Sequence, residues 1–148
     1  MTKQATQLLH TTFRLLREHY VCQTPYKALA KQLGGIRKHG RDTPIYLNGL
    51  SMDAADAIWA LCAVPKEQRT ERDRIARLFA CDCAERSLPL FEKACPHDKR
   101  PREAIAVARA FALGGATPSE LAAAWNAAWD AARAAQIEQL IIMLEAQA

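Results

Sequence analysis

"TPSELAAAWNAAWDAARAAQIEQLIIMLE", residues 117 to 145, decides the fold class. Thr117 stands where a helix cap belongs, Pro118 at the first helical position and Glu120 at the third, so the stretch opens on a capping box. Leu121, Trp125 and Trp129 follow at spacing four on one face. The alanines between 122 and 135 cost little helix propensity and let a second helix approach closely. The end is of a different kind: Ile137, Leu140, Ile141, Ile142, Met143 and Leu144 leave only Glu138 and Gln139 polar between 137 and 144. That is too much apolar surface for one buried stripe. Either the rest of the fold covers it, or Ile137, Leu140, Ile141 and Leu144 form a homodimer or partner surface.

Working outward from this helix, Asp98 and Pro101 start another over Arg102 to Leu113, which Gly114 and Gly115 stop. Before it, charged residues from Glu67 to Arg77 lead a long helix into Leu78 and Phe79, and Pro89 is expected to interrupt it or to start a following turn. Ser51 is expected to cap a helix carrying Ala54, Ala57, Ile58, Leu61 and Cys62, which the Val64-Pro65 step ends. Leu8, Leu9, Thr12, Phe13, Leu16, His19 and Tyr20 recur at three and four and predict an amphipathic first helix. Thr24 and Pro25 predict the opening of a second, through Leu33. Between them and the Ser51 helix, "GGIRKHGRDTPIYLNG" is too broken for a helix and reads as a loop with at most a short extended piece at Ile45 to Leu47. The expectation is an all-α fold: one domain over residues 1–148, a bundle of about six helices with a long basic loop at about 34–50.

Charge is unevenly placed along the chain. Residues 1–50 hold eight Lys and Arg against two acids, the next fifty hold nine against nine, and the last 48 hold three against five. An anionic partner would therefore meet the first third, through Lys27, Lys31, Arg37, Lys38 and Arg41. "ALAKQLGG", residues 28–35, looks like the first helix and turn of a helix-turn-helix. A reading helix starting at Ile36, however, would meet Gly40 after four residues and Pro44 after eight, too short to enter a groove. The 27–41 segment could instead hold phosphates without reading sequence, or pair with carboxylates on a protein.

The five cysteines, Cys22, Cys62, Cys81, Cys83 and Cys95, are an odd set and read as reduced thiols of a cytoplasmic protein. No run of 18 apolar residues predicts a membrane span, and residues 1–20 do not read as a secretion signal. "ACDCAERSLPLFEKACPH", residues 80–97, raises a metal question. In a helix, positions 81 and 83 sit about 200° apart around the axis, so both thiolates cannot reach one ion without unwinding. Cys81, Cys83, Cys95 and His97 match zinc-ligand spacing poorly, and the cysteines are expected to be core filler, with no metal and no cofactor.

No nucleophile elbow, phosphate loop or His-Glu-x-x-His helix occurs, and Ser51, Ser87 and Ser119 fit caps or turns. Glu71, Asp73, Asp82 and Glu85 alternate with arginines, as on an ion-paired helix surface. No catalytic residue is expected, and the chain should act by binding.

Cys83-Ala84-Glu85-Arg86, Leu88-Pro89, Phe91-Glu92, the run Asp98 to Ile105, Ala108-Arg109 and Glu120-Leu121 with the following alanines carry a resemblance. Over about residues 72–136 the chain resembles a helical family of immunity proteins of bacterial toxin systems, with similar reading frames in phage and prophage genomes. The resemblance implies binding rather than turnover, and a protein target such as a toxin. It fits a phage or mobile-element inhibitor that blocks a larger protein or complex, by toxin immunity or as an antagonist of host defence such as an anti-CRISPR protein. The alternative is a nucleic-acid-binding accessory protein using residues 27–41. Asp98, Arg100, Arg102 and Glu103 read first as caps and ion pairs: Asp98 onto the amides of the next helix, the arginines onto carboxylates such as Glu92.

Overall fold

A computed structural model describes residues 8–19 and 23–146. The fold class is all-α, with one small sheet. The chain divides into two compact units, Met1–Arg72 and Asp73–Ala148, and the boundary falls inside a helix.

In the first unit, β1 (His10–Thr11) is followed by α1 (Phe13–Glu18), α2 (Gln23–Gln32), α3 (Ile36–His39), β2 (Ile45–Tyr46), a single 3-10 turn at Leu47–Gly49, α4 (Ala54–Cys62) and a second 3-10 turn at Lys66–Gln68. The expected first helix is thus cut short at its start. His10 and Thr11 are extended and pair antiparallel with Tyr46 and Ile45. Thr12 then caps α1, its hydroxyl accepting from the Leu15 amide at 3.2 Å. Tertiary partners outweigh helix periodicity here. The Thr11 hydroxyl, fully buried, donates to the Ala63 carbonyl at 2.6 Å. The Gln68 side chain accepts from the His10 amide at 3.0 Å and donates to the Leu8 carbonyl at 3.1 Å, so a buried side-chain amide acts as one more strand partner.

The core of this unit is Phe13, Leu16, Leu29, Ile45, Ala60 and Ala63. Phe13 packs edge-on against Tyr26 and His39, at 5.5 and 5.7 Å between ring centroids. Asp53, and not Ser51, caps α4 by accepting from the Asp56 amide at 2.8 Å. Ala60 and Ala63 turn inward there, while Ile58 and Cys62 are exposed, because α4 meets large residues already in place and only small ones fit between. Gln23 and Thr24 already lie within α2, so Thr24 is not its cap. The expected loop at 34–50 holds a single helical turn, α3, and the strand β2. Gly40 ends α3 at φ 97°, where a Cβ would also run into the Thr43 hydroxyl.

The second unit continues α5 (Arg69–Ala94) and adds α6 (Arg100–Ala112) and α7 (Pro118–Glu145). Pro89 does not break α5; the helix runs through it. A proline in mid-helix removes the bond its own amide would have donated to the Glu85 carbonyl and crowds the preceding turn with its ring, and the turns on either side carry the helix past it. Gly114, at φ 79°, closes α6 and turns the chain into α7. The capping box of α7 forms as expected: Glu120 donates its amide to the Thr117 hydroxyl at 3.2 Å, and its carboxylate accepts from the Thr117 amide at 2.7 Å.

Candidate partner-binding surfaces

Two surfaces stand out, one in each unit. In the first, α2 carries Lys27 and Lys31 one turn apart, α3 carries Arg37 and Lys38, and Arg41 follows the Gly40 turn; all five are exposed. Tyr26, Leu29 and Leu33 anchor α2 in the core, which leaves its lysine positions facing water. The nearby acid Asp42 is engaged by Arg14 at 2.6 Å. Among the described residues none of the five cations takes part in an ion pair. The helix that a groove reader would need is the four-residue α3, ended by Gly40.

In the second unit, α5 and α6 are tied by charge. Arg102 forks onto Glu92 with two bonds of 2.7 Å, and Arg109 reaches Asp82 and Glu85 at 2.9 Å each. Arg77 lies over the Phe111 ring at 4.7 Å. At the corner before α6, Asp98 accepts from the Arg100 amide at 3.1 Å and from its guanidinium at 2.9 and 2.6 Å. The Arg102 guanidinium beside Glu92 holds that carboxyl below its ordinary range, and Arg100 does the same to Asp98. These residues cap and pair. A groove of about 620 Å³ lies between the two helices, lined by the apolar Leu88, Pro89, Ile105 and Leu113 and by the charged Glu85, Arg102 and Arg109. Both of these arginines already hold carboxylates.

The cysteines are not uniformly core filler. Cys81 is buried and points its thiol at the Ile105 carbonyl at 3.8 Å, and burial pushes its pKa up. Cys83 and Cys62 are exposed, Cys95 is half-buried, and Cys22 lies outside the described residues. Position 83 faces away because α5 is an unbroken helix there. Among the described residues no group of three or more His, Cys, Asp or Glu side chains is gathered for a metal ion. None of the described helices is long and apolar enough to cross a membrane.

The face of α7 that packs on α6 is not the tryptophan face. Leu121, Ala124, Ala127, Ala128 and Ala131 turn inward, whereas Trp125 is 67% exposed and Trp129 60%. The alanines win because small side chains let two helix backbones close up, while an indole would hold them apart. Sequence spacing finds the tryptophan stripe but cannot say which of two neighbouring stripes faces inward. Beyond Ala135, Ile137, Leu140, Ile141, Ile142, Met143 and Leu144 are all exposed, so the unit does not swallow this end.

The family model of the Imm-5 like putative immunity protein matches residues 66–148, more than half of the chain. The chain belongs to that family. The immunity-protein match takes in α5, α6 and α7, the apolar end of α7 included, and leaves out residues 1–65 with all five cations of the first unit. None of the curated proteins matches this immunity-family chain, and no solved structure does.

Proposed function

We propose that the protein acts by binding: it occupies a surface of a larger protein and blocks it, as immunity partner to a toxin. One observation carries this reading. The half of the chain that the family model covers presents Trp125 and Trp129 side by side on α7, in water, with their backbone fixed by the α6 contact. Tryptophan on a rigid helix gives large contact area at low entropic cost and dominates the energy of many protein interfaces. An enzyme reading has no such support, since the charged groups of this half hold one another in caps and ion pairs.

Lys27, Lys31, Arg37, Lys38 and Arg41 supply a second, electrostatic contact in this reading, steering an acidic target toward the protein. Their lack of acidic partners among the described residues also favours the alternative, in which they hold nucleic-acid phosphates. The experiment is capture of partners from bacterial lysate with the tagged full chain, with and without nuclease, using wild type and Trp125→Ala/Trp129→Ala. The proposal expects one dominant protein that survives nuclease and is lost from the double variant. Recovery of nucleic acid alone, removed by nuclease, would overturn it in favour of the alternative, whereas a toxin held equally well by the double variant would keep the inhibitor role and overturn only the contact through Trp125 and Trp129.

A further inference from the structure

The surface made by α2, α3 and the turn after them has one sign of charge and no apolar centre. From His19 to Arg41 the sequence holds Lys27, Lys31, Arg37, Lys38 and Arg41 and no acid. Lys27 and Lys31 stand one turn apart on α2, and Gly34 is the next position of the same row. Lys38 folds back over it: a Cβ on Gly34 would lie 3.3 Å from the Lys38 Cδ and 3.8 Å from its Nζ. Having no side chain there, the chain lets the Lys38 ammonium extend the lysine row past the end of α2. Arg37 and Arg41 flank it, both exposed. His39 stays apart, its ring set edge-on against Phe13 in the core.

What this face lacks decides its partner. The large apolar side chains of the segment, Tyr26, Leu29, Leu33 and Ile36, all pack on the core of the unit. A protein interface is built around a desolvated apolar or aromatic centre, from which lysine is depleted. Lysines with nothing apolar among them suit a partner whose charge is dense, regular and outermost, as the phosphate backbone of a DNA duplex is. A single strand is held largely by stacking its bases on aromatic rings, and α2 and α3 expose none. Base edges, and the 2′-hydroxyls of duplex RNA, are read from within a groove, and α3 ends after four residues at Gly40.

We infer that the first unit holds the phosphate backbone of duplex DNA, without reading its sequence, through Lys27, Lys31 and Lys38 with Arg37 and Arg41 beside them. This goes beyond the blocking of a target through Trp125 and Trp129. The two contacts belong to separate units, so one protein carries both and either is lost without the other. All five cations precede residue 66, where the family match begins, so DNA holding is a property of this chain's own first unit. Steering of an acidic target asks only for net charge at a distance, and the same cations supply it when no DNA is bound.

The test is fluorescence anisotropy of the full chain on two DNA duplexes of unrelated sequence, on a duplex RNA and on a single strand, over a salt series. Wild type should bind the two DNA duplexes within about twofold of each other and lose roughly 100-fold or more in affinity from about 50 to 200 mM salt, as four or five phosphate contacts require. Lys27→Gln/Lys31→Gln should keep the wild-type circular dichroism, since both side chains are exposed, and should lower the slope of log affinity against log salt by about two. Trp125→Ala/Trp129→Ala should bind DNA as wild type does. No binding at low salt, tighter binding of the RNA duplex or the single strand, or an unchanged slope in the lysine variant would each overturn the inference. Equal displacement of the DNA by polyglutamate would overturn it as well, in favour of an acidic protein as the partner of this face.

Discussion

At the scale of single residues, the local chemistry of helix starts is what the sequence states most clearly. Thr117 and Glu120 form their reciprocal pair without help from elsewhere in the chain, because all four participating groups lie within one turn. Thr117→Ala should cost about 1 kcal/mol, read as a fall of about 2–4 °C in Tm by thermal melting. The Thr117 amide and hydroxyl also hold the Glu120 carboxyl below its ordinary range, as Arg102 holds Glu92 and Arg100 holds Asp98. A carboxyl with a depressed folded pKa binds fewer protons folded than unfolded, so its stabilisation is present above the unfolded value and is lost as pH falls through the folded one. Melting temperature should be level from neutral pH to about pH 5 and then decline toward the depressed values, and a Glu92→Gln/Asp98→Asn variant should decline less steeply.

At the scale of elements, the sequence places helices well and their interruptions poorly. Pro89 is a strong local signal for a break, yet α5 passes through it, because the helix is long and its flanking turns are tied to α6 by Arg102–Glu92 and Arg109–Glu85. The proline side chain is exposed and fills no core site. Pro89→Ala should therefore stabilise the protein, by about 1–3 kcal/mol, since it restores the missing hydrogen bond and removes the ring's clash with the preceding turn. Chemical denaturation would show this as a higher midpoint at unchanged slope, and a lower midpoint would contradict it. The opposite error arises at Leu8, Leu9 and Thr12, which helical spacing assigns to the first helix. Their helical spacing is real, but Thr11 has a buried carbonyl waiting at Ala63 and a strand partner at Ile45, and these nonlocal bonds decide the conformation.

For the whole molecule, the two kinds of surface should respond to salt differently. Contacts made by Lys27, Lys31, Arg37, Lys38 and Arg41 are screened as ionic strength rises, whereas contacts made by Trp125 and Trp129 persist. Target retention on immobilised protein should therefore fall only modestly between low and physiological salt. Loss by orders of magnitude over that range would mark phosphate binding through the basic segment.

The all-α class, the order of the long helices, the capping box at Thr117 and the apolar surplus at Ile137–Leu144 were all legible in the sequence. Each rests on residues a turn or two apart, where spacing along the chain is spacing in space. Tertiary structure alone decided which face of each helix turns inward. That Ala124 and Ala131 pack while Trp125 and Trp129 face water, that Cys81 is buried while Cys83 is not, and that Gln68 completes a strand at His10 follow from how closely two distant segments approach. Helical spacing is the same for a buried stripe and for the exposed one beside it, and only the partner helix, with its own side chains and length, breaks that tie.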